Sequence, residues 1–312
     1  MSVLGLDTSN YTTSAAIFDG QSGENLGRLL DVRPGELGLR QSDALFQHVK
    51  RLPCLLEQLA EEGRLENIRA VGASTRPRAV EGSYMPCFLA GEGQGRGIAA
   101  ALGVPFYAHS HQQGHLAAAA WSAGRLDLLD SSFLAWHLSG GTTELLLVRP
   151  EGTSVSAEII GGTSDLSAGQ LIDRTGVLLG LQFPAGKALD GLYAQADACY
   201  EPRVKIKELT FSLSGMENQV KALADEGERP ANIARFAIDA ISNVVWRVTQ
   251  EAQRRYPGLP VLCSGGVASN SQLRAGLIHI CGAICAKPQY STDNAMGTAI
   301  LTWRAAQAEG KL

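Results

Sequence analysis

Phe133-Leu134-Ala135-Trp136-His137-Leu138-Ser139-Gly140-Gly141-Thr142-Thr143-Glu144-Leu145-Leu146-Leu147-Val148 decides the fold. Residues 133–138 and 144–148 have strand composition. Between them, Ser139 to Thr143 is a turn of small residues. The same pattern opens the chain: residues 2–7 apolar, Asp7-Thr8-Ser9-Asn10-Tyr11-Thr12-Thr13 polar, residues 14–18 apolar again. Either piece alone reads as a plain hairpin. Two of them, one opening each half of a 312-residue chain, imply an internal duplication. The expectation is an α/β chain of two related lobes, each led by a β-hairpin. Residues 1–130 with 293–312 would form one lobe and residues 131–292 the other. Turns of this kind can aim backbone N–H groups and hydroxyls, Ser9 and Ser139 among them, at a phosphate. Two such lobes would clamp a nucleotide between them.

Composition bounds the alternatives. At 45% hydrophobic and 19% charged residues, the chain is ordinary globular protein. A net charge of −4 gives no global attraction to nucleic acid, so any RNA contact needs a local basic patch or a partner protein. No apolar run reaches membrane-spanning length, and residues 2–7 read as a strand with no basic leader before them. Six scattered cysteines read as reduced residues of a cytoplasmic protein. Cys281-x-x-x-Cys285 is the one close pair, and its apolar surroundings favour a structural role.

Outward from the hairpins, the pattern predicts a strand over residues 25–31 and an amphipathic helix over 41–63 with Pro53 as a break or kink. His48 lies on that helix's apolar stripe and reads as a satisfied core residue. Next come a strand over 68–73, the cationic turn Arg76-Pro77-Arg78, a Gly/Ala-rich helix over 88–102, and a strand over 103–107. There follows Ala108-His109-Ser110-His111-Gln112-Gln113-Gly114-His115. Ser110 with Gln113 makes a capping box, so His111 is the first helical residue. His111 and His115 then share a helix face, spaced to grip one ion. The helix dipole should favour neutral imidazole there. A His pair at this spacing is by itself more often a partly buried or solvent-facing pair. Gly114 inside the first turns, costing about 1 kcal/mol against Ala, implies a close approach to the backbone.

In the second half, residues 126–132 read as a hinge and residues 165–180 as a helix containing Asp173. A tight loop carries Gly186, and a helix from residue 188 carries Asp190. Residues 209–213 read as extended, with Ser214 capping a helix, and residues 231–255 as a long helix. A strand over 260–263 runs into Ser264-Gly265-Gly266-Val267-Ala268-Ser269-Asn270 and a helix from Ser271, a phosphate- or nucleoside-binding junction. Ser291-Thr292-Asp293-Asn294 precedes a helix over 295–308. Asp293 is either an N-cap or the third ligand of a two-His, one-carboxylate site.

In this order the motifs Asp-Thr-Ser, His-x-x-x-His, Ser-Gly-Gly-Thr, Ala-Gly-x-x-x-Asp, Phe-Ser-x-Ser-Gly, Ser-Gly-Gly-Val-x-x-Asn and Thr-Asp-Asn resemble the TsaD/Gcp family of tRNA threonylcarbamoyladenosine-forming proteins, once described as sialoglycoprotein endopeptidases. The resemblance runs from Gly5 to about Trp303. It implies an actin-like, sugar-kinase-like two-lobed fold and one divalent metal, Fe, Zn or Mg, on His111, His115 and Asp293. It implies ATP or threonylcarbamoyl-AMP held by Ser9, His137, Leu138, Ser139, Gly140, Gly141, Asp173, Gly186, Asp190, Gly265, Gly266 and Asn270. It also implies transfer of the acyl group to the exocyclic amine of a tRNA adenosine, working with a partner subunit or as a homodimer.

The chain departs from the family pattern in places. Asn10-Tyr11-Thr12 replaces Cys-Asp-Glu, Thr142 replaces His, Arg76-Pro77-Arg78 replaces Gly-Pro-Gly, Gln170 replaces Glu, and Ala185-Gly186-Lys187 replaces Gly-Gly-Pro. That pattern suits a divergent paralogue and keeps open an ATP-binding regulatory or scaffold protein without turnover. A metallopeptidase fits poorly, because Gln112 stands where His-Glu-x-x-His needs its general base. A sugar or carboxylate kinase shares the fold but not the His–Asp metal set.

Overall fold

The computed structural model describes residues 1–9, 11–32 and 39–312; Asn10, singled out above, lies outside them. The chain forms two compact units. Unit 1 holds Met1–Ser131, Arg149–Ala157 and Thr292–Leu312, and unit 2 holds Ser132–Val148 and Glu158–Ser291.

In unit 1, β1 (Ser2–Thr8), β2 (Thr12–Phe18) and β3 (Gly23–Leu29) form an antiparallel meander. β4 (Ile68–Arg76) and β5 (Phe106–Ser110) add in parallel, giving the order β3-β2-β1-β4-β5. β1 and β2 are buried along their whole length, as expected of strands covered on both faces. Leu52, Leu55 and Leu59 of α1 (Gln41–Glu61) pack on Leu4, Leu6, Ala15 and Val71, and α1 runs on through Pro53. α2 (Phe88–Leu102) ends at the left-handed Gly103, where glycine meets no steric cost.

α3 (His111–Ser122) begins as its capping box dictates. The expected strand over 103–107 instead occupies Phe106–Ser110, so Ser110 both ends β5 and caps α3. α9 (Met296–Ala308) lies against α3 and the sheet. A Cβ on Gly297 would overlap the Gly114 carbonyl, one on Gly5 would overlap Ala299, and one on Gly72 would overlap the Thr302 hydroxyl. The close approach implied by Gly114 is therefore a helix crossing. Residues 149–157, placed in the second lobe from sequence, group with unit 1. There the Gln113 amide donates to the Val155 carbonyl (2.8 Å) and Arg304 to the Thr153 carbonyl (3.0 Å).

In unit 2, β6 (Phe133–Leu138), β7 (Thr143–Glu151), β8 (Ser154–Thr163), β11 (Val261–Ser264) and β12 (Ile284–Cys285) lie in the order β8-β7-β6-β11-β12. This repeats the order of unit 1, with β6 antiparallel to β7 and parallel to β11. The short hairpin of β9 (Ile206–Lys207) and β10 (Thr210–Phe211) extends the sheet beyond β8. The helices are α4 (Ala168–Leu178), α5 (Gly186–Tyr193), α6 (Ser214–Asp225), α7 (Pro230–Arg255) and α8 (Ser271–Cys281). Ile233, Ala237, Ile241, Val244 and Val248 form the buried stripe of α7, packed with Trp136, Leu145 and Val261.

The helix expected from residue 165 begins instead at Ala168. Ser167, paired with Gln170, makes the capping box of α4. Asp165 instead accepts hydrogen bonds from the Ser212 and Ser214 hydroxyls (2.6 Å each) and from the Leu213 amide (2.9 Å). Ser214 accordingly makes no side-chain cap on α6. Residues 126–132, read as a hinge, contain a short 3-10 helix over Leu126–Asp130.

Candidate functional site

The metal set converges within unit 1. Nε2 of His111 and Nε2 of His115 lie 2.8 Å apart, and Oδ1 of Asp293 is 3.5 Å from the first and 3.3 Å from the second. A triangle with those sides has its equidistant point about 1.9 Å from each corner, a spacing that would suit the ~2.0–2.2 Å bonds of N and O ligands to one ion. Among the described residues this is the one group of three His, Cys, Asp or Glu side chains able to share an ion. Asp293 is not a helix cap: α9 starts at Met296, whose amide is bonded to Asn294 Oδ1 (3.1 Å).

Behind the set stands a residue the sequence reading left in its turn. Asp7, buried at the end of β1, places Oδ2 2.8 Å from His111 Nδ1. A carboxylate there fixes the imidazole's tautomer and orientation and raises its basicity as a ligand. Asp7 is itself held by the Ser74 hydroxyl (2.5 Å), which contacts Thr298 (3.0 Å), and by the Ser9 amide (3.0 Å). The available signal was an acid at the inner end of a fully apolar strand, since a buried carboxylate demands a partner.

Electrostatics correct one expectation. Burial works against a charged His111, but Asp7 and Asp293 outweigh it and push its pKa up to about 10. Burial alone would raise Asp7 and Asp293, yet contact with His111, and for Asp293 also with His115, holds both carboxyls below their usual range. Two carboxylates around two imidazoles make a site that demands positive charge, and the helix dipole does not decide the matter. His48 and His109 behave differently. Buried without a carboxylate contact, both are pushed down to about 4 by desolvation, with His48 Nδ1 2.8 Å from the Thr13 hydroxyl.

The nucleotide set divides between the units. Ser9 lies in unit 1, buried beside Asp7, and among the described residues its hydroxyl has no hydrogen-bond partner. The others lie in unit 2. The parallel register sets Ser264 against His137, and a Cβ on Gly265 (φ +99°) would overlap Leu138. The loop from His137 to Gly141 and the Gly265–Gly266 turn are thereby neighbours. Ser167 of the α4 cap donates to the Gly140 carbonyl (2.7 Å), and Gly169 leaves room for Ser139 and Gly140. Asp173 accepts from the Ala185 amide (2.9 Å) just before Gly186. Asn270 caps α8 through Oδ1 and donates from Nδ2 to Asp190 (3.0 Å), which also takes the Ser271 hydroxyl (2.8 Å).

The glycines fall into two kinds. Gly265 and Gly169 are demanded by backbone packed against them. Gly140, Gly141 and Gly266 have open space where a Cβ would stand and no positive φ. Neither packing nor strain requires glycine at those three positions.

The family model described as TsaD, tRNA N6-adenosine threonylcarbamoyltransferase, matches residues 38–300. The protein of that name from Thermus thermophilus is 33% identical over 317 residues, covering 97% of this chain and 93% of its own. The one from Rhizobium etli is 31% identical over 307 residues, covering 90% and 81%. Among solved structures, full-length HypF in its phosphate- and nucleotide-bound form covers 98% of this chain and 46% of its own, with a TM-score of 0.64 at 14% identity. A ROK family protein from Streptococcus pneumoniae covers all of both chains, with a TM-score of 0.54 at 10% identity. These two likenesses place the fold as actin-like and sugar-kinase-like. By the family match and its relatives, the chain belongs to the TsaD family.

Proposed function

We propose that the chain is a tRNA N6-adenosine threonylcarbamoyltransferase that uses a nucleotide site in unit 2 and a metal site in unit 1. The observation that carries the reading is the convergence of His111, His115 and Asp293, with Asp7 behind them, in a chain of this family. Gly140, Gly141 and Gly266 support the nucleotide site, since a ligand's close approach accounts for glycine where packing does not. The unpartnered Ser9 hydroxyl supports a further polar contact with a ligand.

In the proposed reaction the N6 amine of adenosine attacks the carbamoyl carbonyl of threonylcarbamoyl-AMP. A C–N bond forms, the C–O bond to phosphate breaks, AMP leaves with the electron pair, and the amine gives up a proton. His111, His115 and Asp293 would hold a divalent ion, which would supply Lewis acidity toward a phosphate or carbonyl oxygen. The chain's own residues orient and hold. Asp7 fixes the His111 ring, the α4 N-terminus and the two glycine turns offer N–H groups to anionic oxygens, and Asp173 and Asp190 offer acceptors to ribose hydroxyls. The substrate is then a tRNA, met directly or together with a partner subunit.

The test supplies the metal-loaded chain with threonylcarbamoyl-AMP and unmodified tRNA, with and without extract of the source cells, and measures N6-threonylcarbamoyladenosine by mass spectrometry after digestion. Modified nucleoside is expected. Tight ATP binding with no modified nucleoside under either condition would overturn the reading. In parallel, His111→Ala should lower bound metal from about one ion per chain to near none. Unchanged metal content would show that the ion, if any, sits elsewhere.

A further inference from the structure

Unit 2 contains a groove that no step of the proposed reaction uses. It measures about 710 Å³ and lies between the segment Tyr200–Val204 and one face of α7, where Asn243, Trp246 and Arg247 recur at helical spacing. Arg203 and Arg247 line it, and among the described residues neither has a carboxylate within ion-pair distance. Most other arginines are differently placed. Arg96, Arg125, Arg174, Arg229 and Arg255 all sit on Asp or Glu side chains.

The acids in the groove do not cancel this charge. Asp239 is taken by the Tyr193 hydroxyl (2.8 Å) and Arg235 (3.4 Å), which leaves Glu201 alone. From Arg203 the chain continues Val204-Lys205-Ile206-Lys207. The apolar residues turn inward and the three cations are exposed at two-residue spacing, about 6.6 Å apart in extended chain. Trp246 is half-buried and fixed in place. Its ring lies on α8 at Gly276, where a Cβ would overlap it, and its Nε1 donates to the Leu273 carbonyl (3.3 Å). α8 is the helix that Asn270 caps.

A row of cations with no ion-pair partner among the described residues, beside a rigid aromatic ring and the Asn243 amide, is the chemistry that tracks a single-stranded nucleic-acid backbone and stacks a base. It stands on a chain whose net charge is −4, so the attraction is local. We infer that this groove binds a single-stranded stretch of RNA, with phosphates on Arg203, Arg247 and Lys205 and a base against Trp246. The inference rests on the reading of the chain as a tRNA-modifying enzyme, and it adds an RNA contact on the transferase itself.

The test measures binding of a 12-nucleotide single-stranded RNA and of a tRNA anticodon stem–loop to the full chain, by fluorescence anisotropy between 50 and 200 mM salt. Arg203→Gln/Arg247→Gln should weaken both about tenfold and flatten the salt slope by about 1.4, at ~0.7 per lost phosphate contact. Arg125→Gln/Arg229→Gln removes the same charge from ion-paired surface sites and should change neither. Melting temperature and ATP affinity of the groove variant report that it is folded.

Three outcomes overturn the groove: equal RNA affinity for wild type and groove variant, no RNA binding by wild type at 50 mM salt, or equal competition by an acidic peptide. The transfer assay separates this from the functional reading. Wild-type transfer with an unchanged tRNA KM in the variant sinks the groove alone. RNA binding that depends on the two arginines, without transfer, sinks the reading and leaves the groove.

Discussion

The turn that follows β1 and the turn that follows β6 occupy the same place in two sheets that share one order over five strands, yet the charges around them differ. The first is preceded by a buried acid near the end of β1. Asp7 faces His111 and is locked by Ser74 and the Ser9 amide. The second carries no acid in its turn. It offers Ser139, Gly140 and Gly141, backed by the α4 cap through Ser167. Duplication copies the scaffold, since strand order follows from hydrophobic patterning and short connections. The few residues past each strand end are free to take up different chemistry. On the proposed reading, one unit recruits a cation and the other recruits an anion.

The largest effect that can break this comparison is in unit 2. Gly265→Ala places a Cβ into Leu138 at a φ of +99°. We expect a loss of about 4 kcal/mol or more, seen as a collapsed denaturant midpoint, since such losses follow backbone overlap combined with strain. Gly140→Ala meets nothing. It should leave the midpoint within about 0.5 kcal/mol while weakening ATP about tenfold in calorimetry. If Gly140→Ala destabilises the fold and spares ATP, the anion-recruiting role of the second turn is wrong.

A second effect, nearly as large, belongs to unit 1. His48 and His109 are held neutral with pKa values down at about 4 by burial, against an unfolded value of about 6.5. Between pH 6.5 and 4 the unfolded chain binds protons that the folded chain refuses. Each histidine's contribution is therefore complete above about pH 6.5 and is lost as pH falls toward 4, by about 3 kcal/mol apiece. Urea denaturation of wild type and His48→Gln at pH 7 and pH 4.5 checks it. The variant should lose less stability than wild type across that interval, and equal losses would mean His48 is not a buried neutral base.

Much of this was legible in the sequence, and the boundary has a physical cause. The paired hairpins, α2 and the start of α3 depend on near neighbours: strand alternation, Ser110 with Gln113, a glycine after α2. The His111–His115 pair is also local, being one helical turn. What escaped depends on distant partners. Asp7 meets His111 across 104 residues. Asp165 meets Ser212 across 47 and so stands outside the helix that begins at Ala168. Gly114 answers to Gly297, and no local pattern distinguishes a glycine that admits a helix from one that admits a ligand. β8 was missed because its burial is irregular, without the alternation that marks a strand. Asp293 was found by family resemblance, as its sequence neighbourhood also suits a cap.

The finest test concerns what the acid before the first turn is for. If Asp7 only fills a polar gap, Asp7→Asn should be silent toward metal, because the amide keeps the size, its oxygen can still accept from the Ser9 amide, and its NH₂ can donate to the Ser74 hydroxyl. If it orients and polarises His111, the same change should cost 10- to 100-fold in metal affinity, as for other carboxylates behind a ligating imidazole. The asparagine can also turn its NH₂ toward Nδ1 and force the wrong tautomer, moving the proton to the nitrogen that must face the ion. Titration of metal-free Asp7→Asn with Zn²⁺ and with Mg²⁺ separates the two. Weakened binding with an unchanged melting temperature assigns Asp7 to the metal centre. Unchanged binding returns it to the scaffold, and the two turns would then differ in composition only.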